Sequence, residues 1–108
     1  LEFRRVLFRS GAQGFQAPGC TYDLDAPALQ ALAGAHQAVH GRAPETLACT
    51  ATTDGRHFAL ATDIPVTNYG PAARAIHGLD EAVDLASMAR VATVMARYLQ
   101  DWCGLLPR

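Results

Sequence analysis

The sequence predicts an α/β fold: a partial sheet, parallel or mixed, with helices on both faces. Two observations carry this. Short β-branched apolar runs, Thr46–Thr52 and Ile64–Tyr69, alternate with stretches of helical periodicity. Half of the 108 residues are apolar and 18% are charged, the balance of a soluble protein with a core. A third observation qualifies them: two strands make a poor sheet with exposed edges, so the pattern reads as part of a larger domain.

Leu1–Ser10 stands apart from the rest of the chain. It holds Arg4, Arg5 and Arg9 and precedes the Gly-rich Gly11-Ala12-Gln13-Gly14. It lacks the apolar stretch and small-residue cleavage site of a signal peptide. Residues 1–10 therefore read as a non-native leader, such as a translated cloning or sequencing adaptor, and residues 11–24 as an extended connector. Pro18-Gly19 marks a turn within that connector.

Asp25 is the expected N-cap of a helix over Ala26–His40. Leu29, Leu32, Ala33, His36 and Val39 fall on one face, Pro27 is in the first turn, and Gly41 ends it. Thr46–Thr52 reads as a buried strand. Thr53-Asp54-Gly55-Arg56 is a turn into a short helix, His57–Ala61, and Ile64–Tyr69 is a second strand closed by Gly70-Pro71. Residues 72–82 read as an irregular loop. Asp84 caps the last helix, where Leu85, Met88, Val91, Ala92, Met95, Tyr98, Leu99 and Trp102 form an apolar stripe expected to be core. Gly104 ends that helix.

A formal charge of −1 argues against nucleic-acid binding, which needs clustered cations. No apolar run is long enough for a membrane span, since Arg90, Arg97 and Asp101 interrupt the last helix. Cys20, Cys49 and Cys103 show no C-x-x-C spacing and read as buried small hydrophobes in a reducing compartment. The cytoplasm is the expected location.

Four features carry chemistry. His77 lies in a loop after a strand end, with Asp80 and Glu81 just beyond it. Sites in α/β sheets sit at the carboxyl ends of strands, and neutral imidazole is a common zinc ligand. A loop histidine alone is more often structural, and a catalytic zinc needs three protein ligands and an open position. His36 and His40 stand four apart but lack the Glu of an H-E-x-x-H motif, so a surface or core-edge pair is the plainer reading. His57, beside Arg56, reads as a structural or rim residue. The turn of Thr52, Thr53, Asp54, Gly55 and Arg56 either caps the following helix or presents hydroxyls, N–H groups and a guanidinium to a ligand.

Taken together, Thr52-Thr53-Asp54-Gly55-Arg56, Ile64-Pro65-Val66-Thr67-Asn68-Tyr69-Gly70-Pro71 and Ile76-His77-Gly78-Leu79-Asp80-Glu81 resemble the C-terminal part of the M20 metallopeptidase family. The acetylornithine deacetylase and succinyl-diaminopimelate desuccinylase branch is the most similar. The resemblance covers roughly residues 20–104. It implies that residues 25–108 are the C-terminal part of a zinc-exopeptidase-like catalytic domain. It also implies hydrolysis of an amide bond at a two-metal Zn2+ or Co2+ centre, with N-acyl amino acids or small peptides as substrates. His77 would be a ligand of one metal. Thr52, Thr53, Asp54 and, less directly, Arg56 would face substrate, and Glu81 would support the His77 loop.

Relatives often place a substrate-contacting Asn between the Gly-Pro and the His. Here that stretch is Ala72-Ala73-Arg74-Ala75, so Arg74 is the candidate replacement. The family's other metal ligands, its catalytic Glu and its dimerisation domain do not occur in this sequence. The expectation is therefore a C-terminal piece of a homodimeric hydrolase, inactive alone. The rival expectation is a small, independently folded, non-catalytic binding module.

Overall fold

The computed structural model describes residues 17–104. The expected leader over residues 1–10 lies outside the described residues, as do residues 11–16 of the expected connector. Five elements run in order: α1 (Pro27–His40), α2 (Gly55–Ala61), β1 (Ala73–Arg74), β2 (Ala82–Val83) and α3 (Leu85–Cys103).

The N-cap of α1 is Ala26, not Asp25, and no side chain caps it. Pro27 explains the shift. Its ring bars the preceding residue from helical angles, and Ala26 accordingly sits at φ −56°, ψ 135°. Asp25 is drawn into a local turn instead, its N–H donating to Asp23 Oδ1 at 3.1 Å. At the other end Gly41, at φ 73°, donates its N–H to Gln37 O, the left-handed C-cap the sequence predicts. Helix α2 begins at Gly55, two residues before the expected start, and Asp54 makes no side-chain cap bond to it.

Helix α1 packs against α3. The buried apolar residues are Ala26, Leu29, Ala35 and Val94, with Val94 0% exposed. On α3 the inward face is Ser87, Val91, Val94 and Tyr98, steps of four, three and four. The apolar stripe expected as core is thus largely outside it. Leu85, Met88, Met95, Leu99 and Trp102 are exposed, because α1 covers one face of α3 and nothing described covers the next.

The far end of α1 holds an aromatic cluster. The rings of His36 and His40 stack at 4.1 Å and 6°, and Tyr69 meets His36 edge-on at 5.7 Å. Tyr69 Oη lies 2.7 Å from His36 Nδ1. This bond ties the 64–70 segment to α1 across 33 residues of sequence. Burial lowers the His36 pKa from its ordinary 6.5, helped by the nearby His40 and Arg42; burial also raises that of Tyr69 above 10.0. Both shifts favour neutral partners, and the His36 tautomer sets which of the two donates.

The sheet differs from expectation. The described strands are β1 and β2, paired antiparallel with Ala73 opposite Val83 and Arg74 opposite Ala82. They lie inside or beside the stretch expected to be an irregular loop. The parallel or mixed sheet is not found among the described residues, and neither Thr46–Thr52 nor Ile64–Tyr69 is a strand there. Residues 46–52 are exposed rather than buried, and 64–69 forms no ladder. A β-prone run with no neighbouring strand to share its N–H and C=O groups cannot form one.

The cysteine expectation also fails. Cys20, Cys49 and Cys103 are all exposed, since each lies outside the α1–α3 contact. Among the described residues, no helix is long and apolar enough to cross a membrane.

This packing sets two expected outcomes. Val94→Ala removes two buried methyl groups and should destabilise the chain by about 2 kcal/mol in urea melts followed by helix dichroism. An unchanged midpoint would show that the α1–α3 contact does not govern stability. Acidification should also destabilise the chain. A histidine held below its ordinary pKa keeps its full contribution above 6.5 and loses it as pH falls below that value, because the unfolded state takes up the proton first. His36→Gln should flatten that slope in melts across the same range.

Candidate functional site

The sequence candidates fall on two separately anchored pieces. The first is the 52–56 turn. Thr53 is part-buried, and its Oγ1 is 3.3 Å from Tyr22 Oη. Asn68 Nδ2 donates to both oxygens, at 3.0 Å to Tyr22 and 3.2 Å to Thr53. Three segments distant in sequence therefore meet at one small polar triangle. Gly55 completes it: a Cβ there would lie 2.8 Å from Tyr22 Oη and 3.3 Å from Val66 Cγ2. Any side chain there would have to push the Tyr22 hydroxyl out of the triangle. Thr52 and Asp54 are exposed beside this triangle, and Arg56 is part-buried in the first turn of α2.

The second piece is the β1–β2 hairpin with its seven-residue loop, 75–81. Within the loop Gly78 N–H donates to Ala75 O at 2.6 Å. A Cβ on Gly78 would lie 2.8 Å from that same oxygen. Ala75 and His77 adopt φ 49° and 63°, left-handed values uncommon for residues other than glycine. Such backbone conformations each cost on the order of 1–3 kcal/mol and persist only where surrounding structure enforces them. His77, exposed, stands at the turn of this loop; Glu81 is exposed at its exit and Arg74 is exposed in β1.

The base of the hairpin is fixed to α3. Asp84 caps α3, its Oδ1 accepting from Ser87 N–H at 2.7 Å. Asp84 N–H donates to Ala72 O at 2.9 Å, extending the strand register by one pair. Ser87 Oγ accepts from Ala72 N–H at 2.9 Å and donates to Asp84 O at 2.8 Å. Ser87 is the buried polar side chain among the described residues. The sequence reading singled out none of Tyr22, Asn68 and Ser87. Ser87 left a signal there as the third residue after a capping Asp, and Asn68 stands within the Ile64–Pro71 motif without a role of its own.

The remaining candidates sort themselves. His36 and His40 do share a face, as a stacked core-edge pair in which His36 is hydrogen-bonded to Tyr69. Among the described residues, no three His, Cys, Asp or Glu side chains gather to hold a metal ion. His36, His40 and His77 therefore do not converge on one ion. His77 offers one imidazole, and these residues alone do not fit a complete metal site.

Residues 10–101 match the sequence profile of Peptidase family M20/M25/M40. The chain is similar to succinyl-diaminopimelate desuccinylase of Rhodospirillum rubrum, 33% identical over 97 residues. That alignment covers 90% of this chain but 22% of the relative's length. No solved structure matches the chain.

The polar triangle gives a direct test. Gly55→Ala forces its methyl group against Tyr22 Oη and should destabilise the chain by about 1–3 kcal/mol in chemical melts. The double change with Tyr22→Ala, which vacates that space, should lose less than the sum of the single changes. Strict additivity would show that Gly55 and Tyr22 do not press on one another.

Proposed function

The chain belongs to peptidase family M20/M25/M40, and from that membership we propose that it carries the C-terminal part of the catalytic domain of a metal-dependent hydrolase. The proposed substrates are N-acyl amino acids or small peptides, cleaved at an amide bond. The alignment spanning 22% of the desuccinylase supports reading it as one part of a longer enzyme. The exposed face of α3 agrees, since Leu85, Met88, Met95, Leu99 and Trp102 make a surface unsuited to an isolated module.

His77 carries the reading. It is an accessible imidazole held in a left-handed backbone conformation at the turn of an anchored hairpin. In this proposal it ligates one ion of a Zn2+ or Co2+ pair, and Glu81 steadies the loop. Other ligands and the general base come from the part of the hydrolase that this chain does not span. The 52–56 turn faces substrate, with the exposed Thr52 hydroxyl and Asp54 beside the anchored Thr53. Arg56 or Arg74 meets the substrate carboxylate, a guanidinium being suited to paired hydrogen bonds with it. A cytoplasmic, homodimeric enzyme that binds neither nucleic acid nor membrane completes the proposal.

The test has two arms. The 108-residue chain should not hydrolyse N-succinyl or N-acetyl amino acids. Tight binding of two metal ions, or robust turnover, would refute its being one part of a site. In the complete hydrolase, His77→Ala should lower kcat/KM by more than about 100-fold, beyond the effect typical of groups that merely support a ligand. Retained activity would remove His77 from the metal.

A further inference from the structure

We propose that Ser87 is a positioning residue for His77, acting through a closed ring of hydrogen bonds between the hairpin base and α3. The proposal rests on the reading of His77 as a metal ligand. Its structural part can be tested separately.

Helix capping alone does not require the Ser87 hydroxyl. Asp84 Oδ1 already accepts from the Ser87 backbone N–H, and any residue at position 87 other than proline supplies that donor. The hydroxyl does something else. It reaches out of the helix to accept from Ala72 N–H, and returns its own proton to Asp84 O. Asp84 N–H closes the ring on Ala72 O. Residues 72 and 84 are thereby locked as the pair below Ala73–Val83, and the first turn of α3 becomes the floor of the hairpin.

The hairpin needs that floor. Its strands are two residues each, too short to hold a loop by themselves. Yet the loop they close carries two non-glycine residues at positive φ, one of them His77. Relaxation of Ala75 and His77 towards ordinary angles would move the imidazole. The ring of bonds at 72, 84 and 87 opposes this by fixing both ends of the loop's stem. Ser87 is 7% exposed, so water competes little for its hydroxyl.

The experiment uses the isotope-labelled 108-residue chain, unmodified and as Ser87→Ala and Ser87→Thr. In the unmodified chain the Ala72 and Asp84 amides should exchange at least about tenfold more slowly than those of the loop tip, Leu79 and Asp80. Equal rates would overturn the proposal, and this comparison needs no variant to fold. In Ser87→Ala the Ala72 amide should exchange about tenfold faster while Val94 keeps its rate. The strong amide-to-α-proton NOE within His77, which reports the short distance peculiar to a positive φ, should weaken towards an averaged value. Ser87→Thr, which keeps the hydroxyl, should restore both. An unchanged NOE within His77 in Ser87→Ala, or equal acceleration of every amide, would overturn the proposal. The underlying reading is tested apart, by His77→Ala in the complete hydrolase: if activity survives that change while the His77 signals of the Ser87 variants shift as stated, the metal reading fails and the positioning role of Ser87 stands.

Discussion

Val94 lies fully buried where α3 meets α1, and the rest of the described structure takes its reference from that contact. Through α1 it reaches the His36–Tyr69 bond, which holds the 64–70 segment. Through α3 it reaches Asp84 and Ser87, which hold the hairpin. A helix pair is a small core, with only four buried apolar residues among those described. Polar ties of long sequence separation therefore carry much of the placement, and each has specific geometry rather than mere proximity. This explains why the two candidate pieces are well defined although little apolar surface is buried beneath them.

The helices were legible because their signals are local. Apolar periodicity, Asp84 as a cap, and Gly41 and Gly104 as terminators each act within a turn of the chain. The misplacement of the α1 cap at Asp25 came from weighing a capping side chain above the constraint of Pro27 on its predecessor. Strands were not legible in the same way. Thr46–Thr52 and Ile64–Tyr69 have the composition of strands, but a ladder needs a partner, and composition does not supply one. The hairpin was missed for the converse reason. Ala73–Arg74 and Ala82–Val83 have no strand-like run, and their pairing is imposed by the bonds among Ala72, Asp84 and Ser87.

Of the candidate site, the sequence displays the chemical groups and not their supports. His77 and the Thr-Thr-Asp-Gly-Arg turn stand out by residue type and order, and the family match spans them both. Tyr22, Asn68 and Ser87 are ordinary residues made important by where the fold puts them. Gly55 is intermediate: as part of a turn it was visible, but its need to admit the Tyr22 hydroxyl was not. The same division separates the two faces of α3. Its periodicity shows a broad apolar surface, while which stripe is covered depends on α1 and, in the proposed enzyme, on structure beyond this chain.

The central claim is that His77, presented by an α3-anchored hairpin, is one corner of a metal centre built mostly from other parts of the hydrolase. The most direct measurement is a crystal structure of the complete enzyme with zinc located by its anomalous scattering. The account predicts a zinc ion with a His77 ring nitrogen about 2.0–2.1 Å away. A fully occupied metal pair that His77 does not touch would contradict it.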